Sequence, residues 1–370
     1  MRHAPFCAAA RPGQNRPQAA SAPFLEDAKA APGRSTIAPQ AVATCGYDAG
    51  MATDRPASTI SLALQGGGAH GAFTWGVLDY LLEEGSLDFD GISATSSGAM
   101  NACALTQGWL EGQREGARDM LTRLWESVGA QASLMRWAFS TPAGAATERI
   151  LLGLTRYFTP QEMNPLGLNP VKNIAASLFD FERIREKSPF KLFIAATRVR
   201  DGRLMLFDNA GLTLDALIAS TCLPQLFAPV EIDGEMYWDG GYAGNPAIEP
   251  LVYRCDAETI ACVLVQPIER AQPPATAREI GERITELSFS TTFIRELETL
   301  QTAQNMLTKN FPLTPLGQRL KRIDIQMIEP GESLDSYSAK TRLTARMDFL
   351  RDLRDLGRER ARTWLERKSV

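Results

Sequence analysis

The chain of 370 residues contains only two histidines, His3 and His70. A mechanism that depends on histidine must therefore use one of these two, and a histidine-rich metal centre is excluded. His3 lies in a terminal stretch without apolar periodicity, so only His70 remains as a candidate for chemistry.

Paired cysteines are also lacking, because none of the six cysteines forms a CxxC motif. In a chain of this length, such a pattern is typical of scattered thiols and not of a disulfide framework or a zinc site. We therefore predict no bound metal. The six are Cys7, Cys45, Cys103, Cys222, Cys255 and Cys262.

No apolar run approaches the roughly 18 residues that a membrane-spanning helix requires. Arg11, Pro12 and Arg16 interrupt any apolar core of a secretory signal, so we expect a cytoplasmic protein, with a processed transit segment as the alternative. The net charge of −4 is mild and gives no reason to expect nucleic acid as a partner.

Residues 1–57 are rich in alanine and proline and show no apolar periodicity. Such a segment buries too little surface to offset its ordering entropy, so we predict that it is disordered. Met51, near its end, is a second candidate for the translation start. Residues 58–370 are predicted to form one α/β domain.

The domain begins with alternating strands and helices. The sequence predicts a strongly apolar strand late in the domain, over 259–268. In the first part of the domain it predicts strands over 58–65 and 87–95 and helices over 72–85 and 96–107. This order favours a mainly parallel sheet with right-handed crossovers.

A serine stands at the second strand-to-helix junction. Ala94-Thr95-Ser96-Ser97-Gly98 is close to the G-x-S-x-G nucleophile elbow, whose sharp turn requires small neighbours and exposes the serine oxygen. The pentapeptide on its own is also compatible with an ordinary capped helix start.

A glycine-rich loop, Gly66 to Gly71, lies between the first strand and the first helix. Three consecutive glycines let backbone N–H groups converge on an anion, as an acyl-transfer oxyanion requires. The loop also matches the dinucleotide fingerprint G-x-G-x-x-G, with Asp88 and Asp90 near the expected ribose-binding acid. A plain turn is the third interpretation, whereas no G-K-[ST] follows to indicate a phosphate-binding P-loop.

Asp239-Gly240-Gly241 ends the stretch 235–241, which is predicted to form a short strand and a turn. Asp-Gly is common in turns, so the motif alone is weak. With histidine nearly absent, however, a carboxylate against a serine oxygen would provide the base of a two-residue dyad.

Taken together, these motifs resemble those of the patatin-like phospholipases across essentially all of residues 58–370. The resemblance is carried by LALQGGGAHGAFTWGVLDYLLEE, GISATSSGAMNA and IASTCLPQLFAPVEIDGEMYWDGGYAGNPAI, in this order. It implies a three-layer α/β/α fold in which Ser96 is the nucleophile, Asp239 the base, and Gly66, Gly67 and Gly68 line the oxyanion hole. The implied supporting residues are His70, Gly71, Ser97, Gly98, Gly240 and Gly241.

Two positions depart from the pattern of this family. His70 stands where the family usually has arginine or lysine, and Ala94 stands where it usually has glycine. The first departure weakens any role for a fixed cation, and the second puts the geometry of the elbow in doubt.

The resulting hypothesis is a serine esterase that cleaves acyl esters of lipids without a metal or organic cofactor. Peripheral membrane contact through 286–307 or 340–367 is considered, although both patterns are also typical of helices that pack on a sheet. The alternatives are a dinucleotide-binding oxidoreductase, a hydrolase of non-lipid acyl esters, and a catalytically silent lipid-binding protein. The sequence leaves the head-group and acyl-chain preference and the oligomeric state open.

Overall fold

The computed structural model describes residues 58–138, 160, 164, 167–270, 273–307, 314–331, 341 and 345–368. The prediction that residues 1–57 are disordered lies outside these ranges. Among the described residues, no helix is both long enough and apolar enough to cross a bilayer.

The described residues form eight strands and nine α-helices. The strands are β1 (Ser58–Leu64), β2 (Leu87–Thr95), β3 (Lys191–Arg198), β4 (Leu204–Asp208), β5 (Val230–Ile232), β6 (Glu235–Asp239), β7 (Thr259–Val263) and β8 (Asp324–Ile328). The helices are α1 (Gly71–Glu84), α2 (Ser97–Ala138), α3 (Pro170–Leu178), α4 (Phe181–Lys187), α5 (Leu214–Ser220), α6 (Glu249–Arg254), α7 (Ala277–Leu307), α8 (Pro315–Arg322) and α9 (Met347–Lys368).

One sheet contains all eight strands, in which β3, β2, β1, β7 and β8 pair in this order. Strand β4 pairs with one edge of β3, whereas β6, itself paired with β5, continues along the other edge beyond the end of β2. The five strands from β3 to β8 in this order are parallel, whereas β4, β5 and β6 pair in antiparallel fashion. Apolar side chains of β1 and β2 are buried, as expected for strands covered on both faces. The predicted α/β fold with a mainly parallel sheet is confirmed.

Helix α1 is apolar on most of its surface because it lies between other elements. Eleven of its residues are buried, and it ends at Gly85, whose φ of +79° suits a glycine cap. Helix α9 crosses it so closely that a Cβ on Gly76 would lie 1.8 Å from the carbonyl oxygen of Arg354. The guanidinium of Arg354 also lies 5.1 Å from the ring centroid of Trp75.

Two predicted elements have different lengths in the structure. The helix predicted over 96–107 continues to Ala138, interrupted at Gly112 and Gln113 by non-helical backbone. The strand predicted over 259–268 ends at Val263, because the backbone N–H groups of Val265 and Gln266 turn to the side-chain oxygen of Gln65 instead of continuing the ladder.

Candidate active site

Ser96 occupies a sharp turn between β2 and α2. Its φ of +54° lies in the left-handed region that only a few non-glycine residues adopt. The turn is held from both sides: the Ser96 N–H donates to the Ser220 hydroxyl at 3.0 Å, and the Ser96 carbonyl accepts from the Met100 N–H at 3.1 Å. Ser96 is the only residue of 91–100 that is not buried, so the turn presents it to solvent.

The alanine at position 94 does not disturb this turn. Ala94 is a regular strand residue, paired with Leu64 on one side and Ile194 on the other, and it is fully buried. Close packing instead requires glycine at position 98, where a Cβ would lie 2.4 Å from the Leu64 carbonyl oxygen.

Strand β3 brings Asp239 to the same place. Thr95, the last paired residue of β2, lies opposite Ala195, and Asp239, the last residue of β6, lies opposite the next residue, Ala196. Strand β2 runs parallel to β3 and β6 runs antiparallel, so their carboxyl ends meet on one edge of β3. Ser96 and Asp239 therefore become neighbours although 142 residues of chain lie between them.

Asp239 is completely buried. One carboxyl oxygen, Oδ1, accepts from the Gly241 N–H at 2.8 Å, whereas Oδ2 accepts no hydrogen bond from a described residue. Burial raises the pKa of Asp239 to about 7, and the Gly241 N–H and the Ser96 hydroxyl oppose this rise in part. The Ser96 hydroxyl thus lies near enough to Asp239 to lower its pKa, although the two groups do not form a well-aligned hydrogen bond. Catalytic hydrogen bonds of this kind often tighten only when substrate binds.

The three glycines of the loop differ in what their N–H groups bind. The Gly66 N–H donates to the Asn245 side-chain oxygen at 2.7 Å, and the Gly67 N–H donates to the Ser97 hydroxyl at 3.0 Å. The Gly68 N–H makes no hydrogen bond to another described residue, and Gly68 is exposed with a φ of +62°. Of the three predicted oxyanion donors, Gly68 is therefore the one left available.

The predicted supporting glycines allow close approach of neighbouring segments. A Cβ would lie 2.6 Å from the Ser97 hydroxyl oxygen at Gly71, 2.2 Å from the Ala195 carbonyl oxygen at Gly240, and 2.1 Å from the Phe289 ring at Gly241. His70 is different, because its buried ring faces the C-terminal segment. Its Nε2 lies 2.8 Å from the Thr341 hydroxyl, and its ring meets Phe349 edge-on.

Two residues that hold the site together were missed by sequence reasoning. Ser220 and Asn245 are both fully buried and bind the backbone of the Ser96 turn and the glycine loop. Both stand inside the long block that carries the resemblance. No local pattern marks them, because their partners lie more than a hundred residues away.

The prediction that Asp88 or Asp90 would bind the ribose of a dinucleotide is wrong. Asp88 lies at the amino end of β2, opposite Thr59, whereas the glycine loop follows the carboxyl end of β1. Asp88 pairs with Arg114, and Asp90 pairs with Lys191 and accepts from the backbone of Ala257. A dinucleotide phosphate at the glycine loop would place its ribose at the other end of the sheet from these carboxylates.

Four apolar residues in the two stretches considered for membrane contact face inward. Phe293 and Leu300 of α7 are buried, as are Leu350 and Leu353 of α9. For these four side chains the packing interpretation is confirmed. Leu343, an apolar residue of the stretch 340–367, lies outside the described residues.

The comparison with known families decides the classification. The model of the patatin-like phospholipase family matches residues 62–252, which is just over half of the chain and includes the glycine loop, Ser96, Ser220, Asp239 and Asn245. The chain belongs to the patatin-like phospholipase family.

Among solved structures, this patatin-like chain is similar to VipD from Legionella pneumophila, with 17% identity and a TM-score of 0.34. The likeness covers 80% of this chain and 66% of that chain, so just under two thirds of the latter is spanned. No curated protein matches the chain.

Proposed function

We propose that this patatin-like protein is a serine esterase of the phospholipase A type, in which Ser96 is the nucleophile and Asp239 is the base. The observation that carries the proposal is the meeting of β2 and β6 on one edge of β3, which places the Ser96 hydroxyl beside a buried carboxylate. The glycine loop packs against the same turn, since a Cβ on Gly66 would lie 2.6 Å from that of Ser96.

The proposed reaction has two halves. In the first half, Asp239 accepts the proton of the Ser96 hydroxyl while the Ser96 oxygen attacks the ester carbonyl. The alcohol then leaves with that proton. Water then gives a proton to Asp239 and attacks the acyl-Ser96 ester, which releases the fatty acid and returns the proton to Ser96. In both halves, the Gly68 N–H and the amino end of α2 stabilise negative charge on the carbonyl oxygen.

The Ser96→Ala variant tests this assignment. We expect it to lose hydrolysis of a nitrophenyl acyl ester by at least about 10³-fold while its thermal unfolding stays close to that of the wild type, because the partly exposed hydroxyl contributes little packing. Rates are measured on soluble ester, on a panel of phospholipids and on non-lipid acyl esters, which separates the two classes of substrate.

Labelling by a fluorophosphonate distinguishes an esterase from a silent lipid-binding protein. Wild-type protein is expected to label at Ser96 and the alanine variant is not. A wild type that neither labels nor hydrolyses any ester would remove the proposal, as would an Ser96→Ala variant that retains activity.

Peripheral contact with a membrane stays a prediction, and the exposed apolar residues of α7 are the surface that we propose for it. Helix α7 exposes Ile280, Ile284 and Leu287, which lie on one face because they are spaced by four and three residues. We expect replacement of all three by serine to reduce pelleting with phosphatidylcholine vesicles and to leave hydrolysis of the soluble ester unchanged. Equal pelleting would exclude this face.

A further inference from the structure

We propose that Asn245 is a positioning residue that fixes the peptide of Gly66, so that the following N–H groups of the glycine loop face the reacting carbonyl. This inference rests on the proposed esterase function. It concerns a residue that touches neither Ser96 nor Asp239 through a hydrogen bond and that acts through the backbone of the loop.

Asn245 binds both polar groups of Gly66. Its Oδ1 accepts the Gly66 N–H at 2.7 Å, and its Nδ2 lies 3.4 Å from the Gly66 carbonyl oxygen. A side-chain amide that holds the N–H and the carbonyl of one residue restricts rotation of the two peptide units that flank it. Since Gly66 has no side chain of its own to anchor it, this restriction has to come from a neighbour.

The same amide connects the loop to two other parts of the site. Its Nδ2 also donates to the carbonyl oxygen of Phe289 at 3.1 Å, and the Phe289 ring packs against that of Tyr242 at a centroid distance of 4.8 Å and an interplanar angle of 49°. The backbone carbonyl of Asn245 accepts from the Gln65 side chain at 3.4 Å. One residue before it, the Gly244 carbonyl accepts from the Thr95 hydroxyl at 2.7 Å. The segment after Asp239 is thereby attached to the loop and to the nucleophile turn.

Because Asn245 is buried, water cannot replace the partners in these hydrogen bonds. Asn245 is fully buried, so its side-chain amide has no water to turn to, and a partner lost by mutation leaves the Gly66 peptide free to reorient. Reorientation at Gly66 affects the nucleophile directly, because the site of its missing Cβ is 2.7 Å from the Thr95 carbonyl oxygen. It also redirects the N–H groups that follow, including that of Gly68.

The test compares Asn245→Ala with a matched asparagine at the other end of β3. Asn209 also binds one backbone N–H and one backbone carbonyl, although of two different residues: its Oδ1 accepts from the Leu192 N–H at 2.8 Å and its Nδ2 donates to the Phe190 carbonyl at 2.9 Å. Fluorophosphonate titration gives the concentration of reactive serine, so that kcat is expressed per active site. We expect Asn245→Ala to lower this kcat by about 10²-fold with little change in KM, and Asn209→Ala to leave both unchanged.

The Asn245→Asp variant provides a second measurement if the alanine variant does not fold. A buried aspartic acid that keeps its proton offers a carbonyl oxygen and one O–H donor in place of the two N–H donors of the amide, and it loses its only donor when it ionises. The ratio of its kcat to that of the wild type is therefore expected to fall as pH rises. This ratio removes the titration of Asp239, which both proteins share.

Equal per-site kcat in wild type and Asn245→Ala, or a pH-independent ratio for Asn245→Asp, would overturn the assignment of Asn245. These outcomes leave a fully active wild type. A wild type without labelling or hydrolysis is a different result, because it contradicts the esterase function itself.

Discussion

Ser96 directly follows β2 and Asp239 is the last residue of β6, and these two strands meet on β3, yet the surroundings of the two residues differ. The Ser96 turn is held by hydrogen bonds to its backbone, adopts a φ of +54° and leaves the side chain partly exposed. Asp239 is fully buried, and burial raises its pKa to about 7. A nucleophile needs access to substrate, whereas an aspartate is a stronger base when water is excluded from it.

The largest effect is expected from replacing the buried residue of this pair, Asp239. Asp239→Asn keeps the size of the side chain and removes its ability to accept a proton, so we expect kcat to fall by about 10²–10⁴-fold. Steady-state hydrolysis of a nitrophenyl acyl ester measures it. A variant with wild-type kcat would show that another group takes the serine proton.

The same substitution is expected to stabilise the fold at alkaline pH. The pKa of about 7 lets the folded carboxyl keep its proton up to about pH 7, whereas an aspartate with the ordinary pKa of 3.8 releases it near that pH. The folded wild type therefore binds more protons in this interval and loses stability as pH rises through it. The Asp239→Asn variant has no carboxyl at this position, so its free energy of unfolding does not fall for this reason. The difference in free energy of unfolding between the variant and the wild type should therefore increase from pH 4 to pH 7, about the range between those two pKa values.

A smaller effect is expected from pH alone on the wild-type enzyme. Because Asp239 acts as a base only when it is ionised, kcat/KM should rise with pH and level off above about 7. Below that value it should fall about tenfold for each pH unit. A midpoint close to that of an ordinary exposed carboxylate would contradict the dry environment assigned to Asp239.

The smallest effect concerns strain in the Ser96 turn. Ser96→Gly and Ser96→Ala both remove the hydroxyl, but only glycine adopts a φ of +54° without steric cost. We expect the glycine variant to be more stable than the alanine variant by up to about 1 kcal/mol in chemical denaturation. A less stable glycine variant would show that the turn is not strained in this way.

Much of the fold followed from local pattern. Strand β2 over 87–95 matches its prediction, and the ends of β1 and α1 are displaced by one residue only. The interruption of α2 at Gly112 and Gln113 was not predicted, since glycine and glutamine within a helical pattern give no strong stop signal. The turn of Val265 and Gln266 toward Gln65 was missed because Gln65 lies about 200 residues earlier in the chain.

By itself, the sequence determined which chemical groups are present: a serine at a strand-to-helix junction, a glycine-rich loop, an Asp-Gly-Gly turn and almost no histidine. It determined these because turns and helix starts depend on neighbouring residues. The tertiary structure decided that β2 and β6 abut on β3, that Asp239 is dry, and that Asn245 and Ser97 bind two of the three loop N–H groups. Those features arise from contacts between segments far apart in the chain, and local pattern carries no record of such contacts.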